Sequence, residues 1–289
     1  MKQPTHPVYI VSKGRPGGLG RTANRLIKDG CDFHIVCEPQ DATAYRESWG
    51  DRVLVLPFSD LGLGSIPARN WIWEHSISVG AKRHWILDDN MSRFYARKRS
   101  FRVPCNAALC LSLAEAFVDQ YENISVAGLN YISFLVDKEK HPPFLLNARV
   151  YSALLIQNDI SERWRGRYNE DTDLCLQVIA GGACTVLFNA LAVEKSGTGR
   201  MVGGNATELY KGDGRLKMAR ALERQWPGVV RVDRRWGRPQ HVIDWRRFDT
   251  KLRKRKGAVP NVPKTQVVAR KPVRSKLVQT FVERESFEK

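Results

Sequence analysis

Two short acidic clusters carry the residue types from which chemistry can be built. The first, Asp88-Asp89-Asn90, ends the apolar run His84-Trp85-Ile86-Leu87. The second, Asn169-Glu170-Asp171-Thr172-Asp173, precedes the apolar stretch that begins at Leu174. Adjacent carboxylates repel unless a proton or a cation neutralises them. Carboxylate and amide oxygens together suit Mg2+ or Mn2+, and such an ion acts as a Lewis acid on a departing phosphate. A carboxylate of the second cluster, Glu170 or Asp171, has the chemistry of a general base that takes a hydroxyl proton. Each cluster also has a plainer reading. Asp-Asn pairs close strands in turns, and acidic residues in a first helical turn favour the helix dipole. Two clusters at separate element ends allow a division of labour, one holding a metal and the other handling a proton.

Two further features belong beside them. The segment Ser12-Lys13-Gly14-Arg15-Pro16-Gly17-Gly18-Leu19-Gly20 offers backbone N–H groups and Arg15 to a phosphate, although it is neither a Walker A sequence nor a G-x-G-x-x-G fingerprint. A tight basic turn explains it equally well. His241, in Pro239-Gln240-His241, is a late candidate metal ligand or a packed imidazole.

The elements that must position these residues alternate in type. Residues 8–12, 33–37, 53–56 and 85–87 read as buried strands, with helices expected at 22–28 and 42–49. A further helix starts at Ser65 as N-cap with Pro67 in its first turn, and Gly80 closes it. The strand at 85–87 therefore delivers Asp88-Asp89-Asn90 to its carboxyl end, where α/β sheets keep their ligands. Residues 93–102 read as a basic stretch, followed by a helix over 106–121, a strand at 124–127 and one or two strands within 144–156. The second acidic cluster opens a helix ended by Gly181-Gly182, and 185–188 is the last clear strand. Beyond it lie a loop from Lys195 through Gly203-Gly204-Asn205 and a helix over 213–225. The pattern implies an α/β fold with a mixed, mostly parallel Rossmann-like sheet flanked by helices. One catalytic domain is expected over 1–248 and a basic tail over 249–289.

Composition narrows the setting. The chain has 289 residues and a net charge of +17, which favours polyanionic partners, nucleic acid first. Residues 251–289 hold twelve Lys and Arg against three acidic residues, so they read as a polyanion-binding or merely solubilising tail. The six cysteines form no C-x-x-C pair and sit among apolar neighbours, which points to buried free thiols rather than zinc or disulfides. No apolar run reaches the ~20 residues of a membrane span, and the first residues lack the apolar core of a signal peptide. A cytoplasmic protein is expected.

Taken in order over residues 7 to 245, the first strand and its Ser-Lys-Gly-Arg-Pro loop, Glu38, Ala68-Arg69-Asn70, Leu87-Asp88-Asp89-Asn90 and Asn169-Glu170-Asp171 resemble the GT-A glycosyltransferases. Ile86 to Asn90, Asn147-Ala148-Arg149-Val150-Tyr151, Asn169 to Leu174 and Gly203-Gly204-Asn205 are more narrowly similar to the glycosyltransferases associated with ten-eleven translocation dioxygenases. That resemblance implies a divalent metal, Mn2+ or Mg2+, at Asp88, Asp89 and Asn90, with His241 completing its shell. It implies Asp171 as base with Glu170 in support, and a nucleotide-sugar donor of the UDP type held by Ser12, Lys13, Arg15, Glu38, Arg69 and Asp88. Asn90 stands where the usual metal motif has a second Asp, and an amide is the weaker ligand. The acceptor implied is the hydroxyl of 5-hydroxymethylcytosine in double-stranded DNA, with Arg93, Arg97, Lys98, Arg99 and Arg102 lining the DNA track. The rivals are a glycan- or protein-directed glycosyltransferase, a DNA-binding protein on a degenerate scaffold of the same fold, and a nucleotidyltransferase. Oligomeric state is not legible.

Overall fold

The computed structural model describes residues 3–17, 21–98, 100–195, 213–235 and 237–258. In chain order the elements are β1 (Val8–Val11), α1 (Arg21–Lys28), β2 (His34–Cys37), α2 (Ala42–Trp49), β3 (Val53–Val55), α3 (Ile66–Ser78), β4 (Arg83–Asp88), β5 (Met91–Lys98) and β6 (Phe101–Cys105). They continue with α4 (Ala107–Val118), β7 (Ile124–Tyr131), β8 (Phe144–Leu146), β9 (Ala153–Gln157), α5 (Glu170–Ala180), β10 (Cys184–Lys195), α6 (Gly214–Gln225), β11 (Val230–Arg235) and β12 (Arg238–Ile243).

Ten strands make one sheet in the order β3-β2-β1-β4-β9-β7-β10-β5-β6, with β8 also on β10. β3, β2, β1 and β4 are parallel neighbours, as are β7 and β10, while β9 runs against both β4 and β7. Most strands thus point one way, giving the mixed, mostly parallel α/β sheet expected of a GT-A-like domain. The apolar strands are buried on both faces because helices cover both. One core layer joins Leu26, Tyr45, Trp85, Leu111 and Phe94, and the other joins Tyr9, Ile72, Trp73, Leu174 and Leu222. At Gly128 of β7 a Cβ would stand 2.2 Å from the Ala153 carbonyl oxygen and 2.4 Å from Val150 Cγ1. Only glycine lets the Val150–Ser152 segment approach that closely.

The order 3-2-1-4 places a topological switch point between β1 and β4, where Val11 pairs with Asp88. A crevice at the carboxyl ends of these strands follows from that arrangement.

Several expectations need adjusting. Ser65 holds the N-cap position of α3, but its hydroxyl donates to Glu170 Oε1 (3.3 Å) instead of capping the helix. The basic stretch 93–102 is the β5–β6 hairpin, in which Phe94 and Tyr95 are buried. The two strands within 144–156 pair elsewhere and not with each other, β8 on β10 and β9 between β4 and β7. β10 runs on to Lys195, and β11–β12 is a second hairpin absent from the sequence reading. Residues 249–258, counted with the tail, include a segment that adheres to the domain: Leu252 packs on the core, and Asn147 and Asn123 donate to the carbonyls of Thr250 (2.8 Å) and Lys251 (2.9 Å). The remainder of the tail and Gly203-Gly204-Asn205 lie outside the described residues. All six cysteines are free thiols, five of them buried. Among the described residues no helix is long and apolar enough to cross a membrane.

A buried imidazole gives one measurable consequence of this core. His84 is fully buried, its Nδ1–H donating to Asn158 Oδ1 with Ser76 Oγ also near, and burial pushes its pKa down to about 4. In the unfolded chain the same ring takes its proton near the ordinary 6.5. The unfolded state therefore binds more protons between those values, and the His84 contribution, fully present above 6.5, is lost as pH falls toward 4. Urea unfolding at pH 5 should show about 2 kcal/mol less stability than at pH 7.5 from His84 alone. His84→Gln should flatten that part of the profile; an unchanged slope would place the proton uptake elsewhere.

Candidate active site

Four carboxylates and four cations meet around the crevice. β4 ends at Asp88, whose side chain turns toward the end of β10. Asp88 Oδ2 accepts from Lys195 Nζ at 2.6 Å and from Ser152 Oγ at 2.7 Å, and Oδ1 accepts from Arg69 Nη2 at 3.4 Å. Burial raises the Asp88 carboxyl, but Lys195 and Arg69 more than offset it and hold the group below the ordinary carboxylate range. Lys195 shows the reciprocal balance: burial pulls its ammonium down, and Asp88 lifts it well above an ordinary lysine.

Asp89 turns the opposite way, toward the loop after β1. Ser12 Oγ donates to its Oδ2 at 2.8 Å and Arg15 Nη1 to its Oδ1 at 2.8 Å. Tyr45 Oη in turn donates to Ser12 Oγ (2.6 Å) and accepts from the Arg15 backbone N–H (3.1 Å). Burial still leaves the Asp89 carboxyl raised. Outside this pair, Lys13 bridges Glu38 (2.7 Å) and Asp60 (2.6 Å) at the rim. Of the proposed donor-site residues, Ser12, Arg15, Arg69 and Asp88 thus converge on the switch point, and Lys13 and Glu38 form its edge.

Arg69 comes from the first turns of α3 and lies over the Trp164 ring at 4.5 Å. Its side chain is only 8% exposed, yet Nε and Nη1 have no hydrogen-bond acceptor. A guanidinium with N–H groups left over can donate them to an anion brought against it.

The second acidic cluster opens α5. Asn169 adopts the left-handed conformation (φ 54°), which asparagine tolerates better than most residues, and its amide donates to the Met218 carbonyl at 3.0 Å. Glu170 and Asp171 then fall in the first helical turn. Glu170 lies 3.9 Å from Arg69 Nη1, and burial, reinforced by Asp171, keeps its carboxyl raised against the pull of Arg69. Asp171 Oδ2 is 3.1 Å from Arg149 Nη2, and Oδ1 accepts from the Thr172 N–H (2.7 Å) and hydroxyl (3.2 Å). The Asn147–Tyr151 segment therefore serves to bring Arg149 to Asp171. His241 on β12 feels both Arg149 and Asp171; burial first, then Arg149, pushes its pKa down to about 4, so the ring is neutral at neutral pH.

The residues expected to bind a metal do not come together as a ligand set. Asp88 and Asp89 diverge, each already held by fixed cations, and His241 belongs with Asp171 and Arg149. Asn90 Oδ1 is buried without a partner, a single weak oxygen ligand. Among the described residues no group of three His, Cys, Asp or Glu side chains is placed to hold a metal ion. A divalent ion at Asp88 would have to displace Lys195 and Arg69 and leave two buried cations unmatched.

The residues of the expected DNA track lie on and beside the β5–β6 hairpin. Arg97 donates to the carbonyls of Leu135 (3.3 Å) and Glu139 (3.1 Å), Arg102 pairs with Asp137 (2.9 Å), and Arg93 lies 3.9 Å from Glu194. Lys98 is exposed, and Arg99 lies outside the described residues. A basic surface missed in the sequence lies on the β11–β12 hairpin. By register, Arg231, Asp233 and Arg235 share a face with Val242, Gln240 and Arg238. The opposite face packs inward through Val230 and Ile243 and carries His241 toward Asp171. Arg235 and Arg238, with Arg234 near the turn, are exposed and have no acidic partner among the described residues. Lys195 was likewise missed: it reads as the start of a loop, whereas β10 extends to it.

The arrangement sets Arg15, Arg69 and Lys195 at the switch point and the carboxylates of Glu170 and Asp171 in the first turn of α5. A search among curated proteins found no match. The model of one protein family, TET-Associated Glycosyltransferase, matches residues 6–204, more than half of the chain. The protein therefore belongs to the TET-associated glycosyltransferases and is a glycosyltransferase.

Proposed function

We propose that the protein moves a sugar from a nucleotide-sugar of the UDP type to the hydroxyl of 5-hydroxymethylcytosine in double-stranded DNA. The family's name ties its members to TET enzymes, which make that hydroxymethyl group. The observation that carries the acceptor reading is the β11–β12 hairpin. Its outward face presents Arg231, Arg235 and Arg238, while its inward face brings His241 to the candidate base. A polyanion lying along those arginines would pass the site at which Asp171 waits. The net charge of +17 agrees, since each phosphate neutralised releases counterions.

In this reading the donor diphosphate lies at the switch point between β1 and β4, with the unfilled N–H groups of Arg69 on its oxygens. The acceptor hydroxyl oxygen forms a bond to the anomeric carbon and its proton passes to the Asp171 carboxylate. The anomeric C–O bond breaks with both electrons going to the β-phosphate oxygen. Asp89, fixed by Ser12 and Arg15, orders the loop over the nucleotide. No metal ion enters these steps, because the Asp88 and Asp89 carboxylates are already matched.

Transfer of labelled sugar from a panel of UDP-sugars to duplex DNA tests the reading. Label should appear on DNA containing 5-hydroxymethylcytosine and not on unmodified DNA. Labelling of a glycan or protein acceptor instead would move the acceptor class. Replacing Arg231, Arg235 and Arg238 together with Gln should weaken duplex binding and lower the slope of log affinity against log salt by about 2–3. An unchanged slope would remove the hairpin from the DNA interface.

A further inference from the structure

Lys195 is the last residue of β10, and a register shift between Glu194 and Lys195 breaks its ladder with β5 there. Bulges at a sheet rim re-aim side chains, and this one coincides with the turn of Lys195 into the crevice. Its ammonium is enclosed by three oxygens: Asp88 Oδ2 at 2.6 Å, Ser152 Oγ at 2.9 Å and Tyr131 Oη at 3.4 Å. The Tyr131 ring lies 5.6 Å away. Tyr131 and Ser152 also hydrogen-bond each other, so the cage is tied together independently of the lysine. The side chain is 17% exposed, so it is not sealed from solvent. An oxygen cage of one carboxylate and two hydroxyls around a cation is what an ion site looks like, and here a covalently tethered cation fills it.

Charge balance says the same. Asp88 is matched by Lys195 and Arg69, Asp89 by Arg15, Glu170 by Arg69 and Asp171 by Arg149. These four carboxylates face four cations and leave no excess negative charge of the kind that draws Mg2+ or Mn2+ out of water. A diphosphate arriving at this site meets fixed cations instead.

We propose that Lys195 is the resident cation of the donor site, standing where the sequence leads one to expect a divalent ion, and that sugar transfer proceeds without a metal. The proposal rests on the nucleotide-sugar reading for what the cation acts upon. As the anomeric C–O bond breaks and both electrons move to the β-phosphate oxygen, the negative charge growing there is stabilised by the Lys195 ammonium and the Arg69 guanidinium. The acceptor proton goes to Asp171, so the cation gives up no proton and returns unchanged.

The first test needs no turnover. Full-length protein is titrated with Mn2+ and the free ion is followed by its paramagnetic resonance signal, with and without UDP. The expected result is no stoichiometric uptake below about millimolar Mn2+, a range in which dedicated oxygen sites bind. One-to-one uptake that disappears in Asp88→Asn overturns the proposal, whatever the enzyme's donor or acceptor. In the transfer assay, wild-type rates should be the same in EDTA and in Mn2+, and Lys195→Met should lose about a hundredfold to a thousandfold in kcat, the scale of one removed charge-stabilising donor. Lys195→Arg, which keeps the charge, should recover part of that loss and controls for folding. Turnover abolished by EDTA and restored by Mn2+, or Lys195→Met at the wild-type rate, overturns the proposal. Absence of transfer from every UDP-sugar defeats the donor reading alone, and the Mn2+ titration still decides the cation.

Discussion

Replacing Asp171 with Asn is expected to slow sugar transfer by about a thousandfold while leaving nucleotide binding in place. Asn keeps the size of the side chain, and its carbonyl oxygen can still accept from the Thr172 N–H that Asp171 engages at 2.7 Å. What it loses is the ability to take a proton from an attacking hydroxyl. Single-turnover transfer and UDP titration calorimetry, run on the same preparations, separate the two effects: the rate should collapse and the UDP affinity should hold. Glu170→Gln is the informative companion. Its carboxyl is raised mainly by burial, and it sits against Arg69 and Ser65 rather than Arg149, so it should alter donor affinity and the rate by about tenfold or less, well short of a general base's ~10²–10⁴. If Glu170→Gln collapses the rate and Asp171→Asn does not, the proton passes to Glu170 and Asp171 becomes the group that holds Arg149.

The sheet was legible where burial is two-sided. β1, β2 and β4 announce themselves as unbroken apolar runs, and α2 and α5 were found with their ends nearly right. The two hairpins were not legible, for one physical reason. In β5–β6 the basic residues Arg93, Arg97, Lys98 and Arg102 flank Phe94 and Tyr95, which are buried on opposite faces, and in β11–β12 Arg231, Arg234, Arg235 and Arg238 outnumber the inward Val230 and Ile243. A charge run and a strand with a charged face look alike until the register is known. The end of β10 failed differently: Lys195 is an atypical strand residue, and it is held in the strand by pairing with β5, where it stands opposite Met91.

The site shows the same limit at closer range. The acidic residues were visible as clusters, because neighbours in sequence are neighbours at an element's end. Their partners were not. Lys195 is 107 residues from Asp88, Arg15 is 74 residues from Asp89, and Glu170 is 105 from Ser65. A sequence lists the carboxylates but not the cations that face them, and the expectation of a metal came from counting one side of that balance. Asp88 and Asp89 also diverge, as successive residues at a strand end must when side chains alternate between faces. Adjacent carboxylates on a strand are for that reason poorer evidence for a shared ion than carboxylates spaced by one.

Asp173 gives the largest stability effect expected of any residue near the site, and it links that site to the hairpin. The side chain is fully buried in α5. It accepts from Arg165 Nε (2.9 Å) and Nη2 (3.2 Å), from Trp226 Nε1 (2.6 Å) and from Gln177 Nε2 (2.7 Å). Trp226 closes α6 and leads into β11, so this one carboxylate ties the helix bearing Glu170 and Asp171 to the module bearing the arginine face. Removing the carboxylate leaves the part-buried Trp226 and Gln177 donors without their acceptor, while Arg165, whose side chain is 50% exposed, turns to water. Asp173→Ala should therefore cost about 2–3 kcal/mol in urea unfolding. Asp173→Asn, which keeps an acceptor for some of the donors, should cost less. Because the lost bonds join two parts of the molecule, the same substitution should weaken duplex DNA binding even though Asp173 touches no surface. A loss below about 1 kcal/mol, the scale of an exposed pair, would mean that the hairpin is held by its apolar face, through Val230 and Ile243, and that Asp173 serves only to start α5.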